Sequence, residues 1–203
     1  MKTQVNKSHY DFLSYVNKDR FISYYYQLKY ILKIEPETFL EVGGGAGILK
    51  KLLPENINYL SLDITIDLSP DIIGSVENLP FKDNSFGMIG CFQVLEHLPF
   101  EKFPGILREL KRVSSKYVFV SIPGANHKFM VDIYAPKIRY ITLDLLIPKF
   151  YRTHHFDGQH YWEIGKRKYS RKKIVKIMES MFKIRSLFTP KENSYHTFFL
   201  LEK

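Results

Sequence analysis

The sequence TFLEVGGGAG, from Thr38 to Gly47, sets the architecture of the chain. A β-rich run leads directly into glycines at positions 43, 45 and 47, and a helical pattern follows. A strand that ends in closely spaced glycines before a helix brings backbone N–H groups close to a ligand. Glycine suits these positions because a side chain would block the ligand and because some of them require positive φ. The stretch therefore predicts a nucleotide-type ligand at the first turn of an α/β fold.

The spacing of these glycines separates the turn from two familiar phosphate-binding motifs. The dinucleotide fingerprint G-x-G-x-x-G, started at Gly43, would need glycine at position 48, where the chain has Ile48. The pattern G-x-x-x-x-G-K-[ST] occurs nowhere in the sequence. A turn with a purely structural role stays an alternative while the glycines are considered alone.

Short β-rich runs alternate with helical stretches on both sides of the turn. This alternation predicts one α/β domain with a mostly parallel sheet and crossover helices. The expected strands cover residues 38–42, 57–62, 71–75, 86–94 and 116–122, and the expected helices residues 46–53, 101–113 and 170–181, with Ser170 as an N-cap. Two last strands, 182–188 and 195–201, predict an antiparallel hairpin at the sheet edge. Aromatic residues at helical spacing between 9 and 34 predict a helical cap within residues 1–36.

Composition limits the class of protein. A chain of 203 residues with 45% apolar and 25% charged residues fits one globular domain. Its single cysteine, Cys91, lies in an apolar run and predicts a buried, inert thiol. The polar N-terminus does not resemble a signal segment, so we expect a cytoplasmic protein. A net charge of +9 favours anionic partners such as nucleic acid, acidic small molecules or anionic lipid.

Three further motifs follow the glycine turn in order. Asp63 ends the second expected strand, where a carboxylate can accept both hydroxyls of a ribose. Residues 77–86 read ENLPFKDNSF and residues 94–98 read VLEHL. With the acidic residue and alternating glycines of 41–47, these segments resemble the class I S-adenosylmethionine-dependent methyltransferases of the type 11-like subgroup. The resemblance covers residues 38–124.

The resemblance implies a three-layer Rossmann-like methyltransferase fold with a mostly parallel seven-stranded sheet and an antiparallel C-terminal hairpin strand. It also implies S-adenosyl-L-methionine as cofactor and S-adenosyl-L-homocysteine as product. The cofactor-binding positions that it implies are Glu41, Gly43, Gly45 and Gly47 for the methionine moiety, Asp63 for the ribose, Ile64 and Ser75 for the adenine, and Gln93 for the sulfonium side. Many relatives have an acidic residue where this chain has Ser75. Glu96 and His97 are implied near the reaction centre.

Residues 154–165, HHFDGQHYWEIG, concentrate three histidines, two carboxylates and the single tryptophan. One interpretation is a substrate pocket, with His160, His155 or Asp157 as general base and Tyr161 or Trp162 as an apolar wall. Another is a structural loop with Trp162 in the core. A metal site of His154, His160 and Asp157 or Glu163 matches no standard zinc spacing, so no metal is predicted. The segment also resembles an H-Y-W-E-[IL]-G element of methyltransferase-like proteins associated with bacterial and archaeal surface-glycan synthesis.

Residues 125–168 do not follow the α/β alternation and predict a substrate lid after the fifth strand. Within them, residues 129–151 are apolar, with aromatic and basic residues interspersed. Such a segment can lie on an anionic membrane surface as a peripheral contact. The alternative is a lid helix that packs on the core or on a second subunit. The oligomeric state is not predicted.

Three functions compete. The first is methyl transfer to a hydroxyl of a small-molecule or surface-glycan-type acceptor. The second is an RNA methyltransferase that uses the basic residues of 166–173, for which binding should weaken steeply with salt. The chain lacks an N-P-P-Y-type segment after the fourth strand, which disfavours an amino-directed enzyme. The third is a non-catalytic binding protein, against which the intact Glu41, glycines and Asp63 argue. The acceptor itself is not predicted.

Overall fold

A seven-stranded sheet forms the centre of the computed structural model, which describes residues 17–124, 126–135, 138–148 and 151–203. Its strands are β1 (Thr38–Val42), β2 (Asn58–Asp63), β3 (Ile72–Ile73), β4 (Phe86–Phe92), β5 (Ser114–Pro123), β8 (Lys183–Phe188) and β9 (His196–Glu202). They lie in the order β3-β2-β1-β4-β5-β9-β8. Strands β1 to β5 are parallel neighbours. The predicted α/β class and mostly parallel sheet are confirmed.

The C-terminal strands reverse direction within the sheet. Strand β9 pairs antiparallel with β5, with Phe119 opposite Leu200, and antiparallel with β8 on its other side. The predicted antiparallel hairpin is therefore confirmed. The second strand of this hairpin, β9, lies inside the sheet between β5 and β8. The first strand, β8, forms the edge of the sheet.

Helices cover both faces of the sheet and form two separate cores. The helices are α1 (Lys18–Ile34), α2 (Ile48–Leu52), α3 (Phe103–Val113) and α4 (Arg171–Glu179). Neighbouring residues of β1 point to opposite faces, so Phe39 joins the core beneath α1 and α2 whereas Leu40 joins the core beneath α3 and α4. Burial on both faces explains why these strands read as apolar runs in the sequence.

The helix boundaries follow their capping residues. The side chain of Asn17 accepts a hydrogen bond from the backbone N–H of Arg20 and so begins α1. Ser170 does the same for Lys173 at the start of α4, which confirms the predicted N-cap. Residues 1–16, which hold part of the predicted helical cap, lie outside the described residues.

The expectation of a lid helix in residues 129–151 was wrong. The chain instead forms an antiparallel hairpin of β6 (Asn126–Ala135) and β7 (Ile138–Pro148). Apolar residues recur at every second position in both strands, which is the period of a strand and not of a helix. Opposed pairs such as Phe129–Leu145 and Val131–Leu143 form an exposed apolar row, in which Phe129 is 60% and Leu143 60% exposed. Contact of this segment with an anionic membrane stays a prediction.

The described helices include no candidate for a membrane-spanning segment. Within the described ranges, every helix is too short or too polar to cross a membrane.

The loop after the hairpin is attached to the core by Trp162. The indole is completely buried among Phe100, Phe103 and Tyr169, and its Nε1–H donates to the carbonyl of Leu98 at 3.0 Å. Two backbone hydrogen bonds flank it: Tyr161 N–H to the Glu96 carbonyl at 2.8 Å and Ile164 N–H to the Pro123 carbonyl at 2.9 Å. Of the two sequence interpretations of Trp162, the core residue is correct and the pocket wall is wrong.

Substitution of Trp162 tests this attachment. We expect Trp162→Ala to lower the free energy of unfolding by about 3–5 kcal/mol, because it empties a fully packed site. Urea denaturation followed by circular dichroism measures the change. The neighbouring Tyr161→Ala, which removes a ring that is 37% exposed, should cost less than about 1 kcal/mol. Equal losses in the two variants would contradict the anchoring role.

Candidate active site

The candidate site lies where the carboxyl ends of β1, β2 and β4 meet, the usual ligand position in an open α/β sheet. A main cavity of about 290 Å³ opens there. A smaller side cavity of about 50 Å³ adjoins it across Gly44 and Gly45. The main cavity is lined by Asn17, Arg20, Ser23, Tyr24, Gln27, Glu41, Gly43, Gly44, Gly45, Phe92, Gln93, Glu96, His97, Gln159, His160, Tyr195 and His196.

The glycine turn follows β1 and separates the two cavities. Gly43, Gly45 and Gly47 have φ values of 79°, 51° and 66°, a conformation that residues with a side chain rarely adopt. A Cβ on Gly43 would also lie 2.3 Å from Cγ2 of Val94, so the turn packs tightly against the segment after β4. Positive φ therefore favours glycine at all three positions, and the close approach of Val94 adds a second requirement at Gly43.

Glu41, at the end of β1, places a buried carboxyl beside the turn. It accepts a short hydrogen bond from the hydroxyl of Tyr59, and it lines the main cavity. Burial raises the pKa of Glu41 to about 8, while the hydrogen bond from Tyr59 opposes this and the charge of Asp63 adds to it. A cationic group in the cavity would restore the ionised form of the carboxyl, so this position suits an amino group.

Asp63 ends β2 and lines the side cavity. Its Oδ1 accepts a hydrogen bond from the backbone N–H of Thr65 at 2.9 Å, which orients the carboxylate. Ile64 follows directly and is half-buried. Ser75 lies in a short turn where its Oγ accepts from the N–H of Glu77 at 3.2 Å. The Ser75 hydroxyl is thus engaged within its own turn.

Gln93, just after β4, has a positive φ of 56°, an uncommon conformation for a residue with a side chain. Its Nε2 donates to the hydroxyl of Ser121 at 3.1 Å, and its N–H donates to the Ser121 carbonyl at 3.0 Å. These bonds to β5 hold the sharp bend that turns the chain from β4 toward the cavity. Strained backbone of this kind is often found at functional sites.

Glu96, His97 and His160 form a cluster at the wall of the main cavity. One ligand atom from each lies within 4.8 Å of the others, and the two imidazole rings are 4.9 Å apart in an edge-on arrangement. Glu96 is 0% exposed, and neither of its carboxylate oxygens meets a hydrogen-bond donor in the described part of the chain. Burial raises the pKa of Glu96 to about 7, with the nearby His160 opposing the rise.

Carbonyl and carboxylate partners orient both imidazoles. Nδ1 of His97 is 3.0 Å from the carbonyl of Gln159, which can only accept, so Nδ1 carries the proton. Nδ1 of His160 is 3.3 Å from Oε1 of Glu163, whose other oxygen is 2.9 Å from Nζ of Lys166. Burial opposes ionisation of Glu163, but His160 and Lys166 outweigh it and lower its pKa to about 2. Burial likewise lowers the pKa of His160, yet Glu163 and Glu96 raise it above its usual range.

The three candidate bases occupy different places. His160 lies in the cavity wall, whereas the described residues that line this cavity include neither His155 nor Asp157. His155 is exposed. Oδ1 of Asp157 accepts the N–H groups of Gln159 at 3.0 Å and His160 at 2.7 Å. Asp157 therefore shapes the loop that presents His160.

Several cavity residues were missed by sequence reasoning because they come from the two ends of the described chain. Arg20 and Tyr24 belong to α1, His196 begins β9, and Tyr195 directly precedes it. His196 shares a short hydrogen bond with Ser23. Burial, and then the charge of Arg20, lowers the pKa of His196 to about 3. The sequence carries no motif at these positions, and only the docking of α1 beside β9 brings them to the site.

Part of the chain matches a known family model. Residues 40–119 match the family model described as a methyltransferase domain. An uncharacterized protein of Methanocaldococcus jannaschii is 30% identical over 90 residues, which are 41% of this chain and 40% of that relative. The match thus spans less than half of that relative's length.

Solved structures agree with the fold over a larger part of the chain. An S-adenosylmethionine-dependent methyltransferase from Clostridium acetobutylicum superposes with a TM-score of 0.63 and 11% identity, covering 96% of each chain. Magnesium protoporphyrin IX methyltransferase from Synechocystis, solved with S-adenosylmethionine bound, gives 0.60 and 14% identity over 100% of this chain and 86% of its own. At such identities the similarity is one of fold. It confirms the predicted Rossmann-like fold, and the family model agrees with it over residues 40–119.

The residues of the domain fit this cofactor. Glu41 offers a buried carboxyl that could hold the amino group of a methionine moiety, and Glu96 adds a second buried carboxyl to the same cavity. The glycine turn leaves the backbone accessible between the two cavities. Asp63 lies in the side cavity, where its carboxylate can accept ribose hydroxyls.

Asp63→Ala tests the ribose position. We expect S-adenosylmethionine to bind about 2 kcal/mol more weakly, or roughly thirtyfold, because charge-assisted hydrogen bonds to the ribose are lost. Isothermal titration calorimetry measures the affinity, and circular dichroism verifies folding, since Asp63 also caps Thr65. Asp67→Ala, at an exposed carboxylate in the same loop, should leave the affinity unchanged. Equal affinity of Asp63→Ala and the wild type would exclude the assigned contact.

Proposed function

We propose that the protein transfers the methyl group of S-adenosylmethionine to a hydroxyl oxygen of a small-molecule or surface-glycan-type acceptor. The observation that supports this most is the position of His160. Its imidazole lies in the wall of the same cavity as Glu41 and the glycine turn. A group able to act on a proton is thereby placed beside the residues that fit the cofactor.

A hydroxyl acceptor needs such a group. When bound, S-adenosylmethionine supplies an activated methyl on a sulfonium, and its sulfur keeps the electron pair of the broken S–C bond. The acceptor oxygen forms the new O–C bond and must lose its proton during the transfer. The chain contributes Glu41 to hold the amino group, a cavity that aligns donor and acceptor, and His160 to assist loss of the proton.

Hydrogen bonding prepares His160 for this role. Glu163 lies next to Nδ1, so the proton of the neutral ring is held there and Nε2 carries the lone pair. Lys166 balances the charge of Glu163. This arrangement orients the imidazole in the way that a carboxylate orients a catalytic histidine in hydrolases.

The surroundings of the cavity favour a hydroxylated acceptor. Its wall carries the polar side chains of Arg20, Tyr24, Gln159 and Tyr195, groups that hydrogen-bond to sugar-like molecules. The H-Y-W-E-I-G segment, which supplies His160 and Trp162, supports a glycan-type acceptor through its resemblance to proteins of surface-glycan synthesis.

Replacement of His160 tests the proposal. The assay incubates the protein with radiolabelled S-adenosylmethionine and a panel of nucleotide sugars, free sugars and phenols, and measures alkali-stable label, as expected of a methyl ether. We expect His160→Gln to reduce turnover about 10²- to 10⁴-fold while cofactor binding is retained. His155→Gln, outside the cavity, should keep full activity. Alkali-labile or nitrogen-linked label, or an active His160→Gln variant, would contradict the proposal.

An RNA hydroxyl is the second candidate, favoured by the exposed basic residues at the start of α4. Arg167, Lys168, Arg171, Lys172 and Lys173 are all exposed. If they contact phosphates, the affinity for a short single-stranded RNA should fall steeply between 50 and 200 mM salt, by roughly tenfold or more for a few contacts. Fluorescence anisotropy of labelled RNA measures this, with Lys172→Glu and Lys173→Glu expected to weaken binding further. Undetectable binding at 50 mM salt would rule out this candidate.

A further inference from the structure

Glu96 has an unusual environment for an ionisable side chain. It is completely buried, and no donor from the described residues reaches either carboxylate oxygen. A buried acceptor without a partner costs about 1–3 kcal/mol, and more when it is charged. The fold nevertheless retains it at the wall of the main cavity. Such an orphaned group indicates a ligand that supplies the missing positive charge.

Two imidazoles lie close to the carboxylate of Glu96. One ligand atom each from Glu96, His97 and His160 lies within 4.8 Å of the other two. Donor atoms this close together can surround a single ion, to which imidazole nitrogens bind at roughly 2.1 Å. The two histidines come from different parts of the chain, His97 from the 3₁₀ turn Leu95–His97 and His160 from the loop that Trp162 attaches.

The hydrogen bonds that His97 and His160 make with their surroundings are also typical of a metal site. Metal-binding histidines usually donate the N–H of their outer nitrogen to a carbonyl or carboxylate, which fixes the ring and makes the other nitrogen a better donor to the ion. Nδ1 of His97 meets the Gln159 carbonyl at 3.0 Å, and Nδ1 of His160 meets Glu163 at 3.3 Å. Nε2 of each ring then carries the lone pair.

We propose that Glu96, His97 and His160 bind one divalent transition-metal ion at the wall of the main cavity. One carboxylate and two imidazoles favour ions such as Mn²⁺, Co²⁺ or Zn²⁺ over Mg²⁺, whose preferred ligands are oxygens. The ion neutralises Glu96 and leaves coordination positions on its cavity side. The residue spacing within 154–165 did not predict this set of ligands, because Glu96 and His97 lie in a turn that is distant in sequence.

A second group of possible ligands lies nearby but forms a poorer metal site. It consists of Asp157, His160 and Glu163, which each place one ligand atom within 4.8 Å of the others. Both oxygens of Glu163 are already engaged, one by His160 and the other by Lys166. Asp157 is exposed, and its Oδ1 already accepts two backbone N–H groups. The buried, orphaned carboxylate belongs to Glu96.

The ion would deepen the proposed function, on which this part of the inference rests. An acceptor hydroxyl bound to the ion loses its proton to solvent more readily, because coordination lowers its pKa. The oxygen then forms the O–C bond while the S–C bond breaks. With the ion bound, His160 would be a ligand of the ion and would not accept the proton itself. The ion would then activate the hydroxyl.

Metal binding is tested directly on the full chain after treatment with EDTA and dialysis. Titration with CoCl₂, followed by visible absorption and calorimetry, should show one ion per chain, with Mn²⁺ binding at the same site. Glu96→Gln keeps the side-chain shape and should weaken binding at least about 100-fold. Asp157→Asn, which can still accept both backbone N–H groups, should bind as the wild type does. Co²⁺ should raise the unfolding temperature of the wild type and not that of Glu96→Gln.

The outcomes separate the inference from the proposed function. No binding of Co²⁺ or Mn²⁺ by the folded wild type, or binding lost in Asp157→Asn and retained in Glu96→Gln, overturns the metal site. Full oxygen methylation in the presence of EDTA overturns the catalytic part of the inference and leaves the proposed function intact. Failure to bind S-adenosylmethionine, or transfer to an atom other than oxygen, overturns the proposed function while Co²⁺ binding still stands.

Discussion

The burial of one indole determines where the chemistry of this domain can take place. Trp162 fills the core beneath α3, and its hydrogen bond to the Leu98 carbonyl joins the loop of residues 154–165 to the segment that follows β4. His160 lies two residues before this anchor and Glu163 one residue after it. The loop could take many paths over the sheet, but with Trp162 in place His160 faces Glu96 and His97. The packing of an apolar ring thus sets the geometry of a polar cluster.

The electrostatics of the cavity complement a cationic ligand. Glu41 and Glu96 are buried carboxyls that line the same cavity, and burial raises the pKa of each. Such groups are costly while the cavity holds only water, and a bound ammonium, sulfonium or metal ion reduces that cost. Arg20, His97 and His160 lie in the same wall, so opposite charges are interspersed. The site is organised around ligands that carry positive charge.

Most of the sheet could be predicted because its strands are buried on both faces and read as short apolar runs. Strand β1 matches its predicted bounds, and the glycine turn, Asp63 and Gln93 lie at the carboxyl ends of β1, β2 and β4. The hairpin of β6 and β7 was missed because its basic and aromatic residues obscured the recurrence of apolar residues at every second position. The resemblance placed Glu96 and His97 near the reaction centre, but their contact with His160 could not be predicted, because it joins a turn and a loop that are distant in sequence. The same holds for Arg20 and His196, which meet only when α1 packs beside β9.

The position of β9 has a consequence for the order of assembly. This strand is synthesised after every other strand of the sheet, yet it lies between β5 and β8 and contributes Phe198 to the core beneath α1. Until it is inserted, β8 has no neighbour to pair with, and one wall of the main cavity lacks Tyr195 and His196. A growing chain can therefore form β1 to β5 while it is still on the ribosome, but it completes its cavity only after the last strand has emerged. A cofactor that binds the finished cavity would then act as a late selector for fully folded molecules.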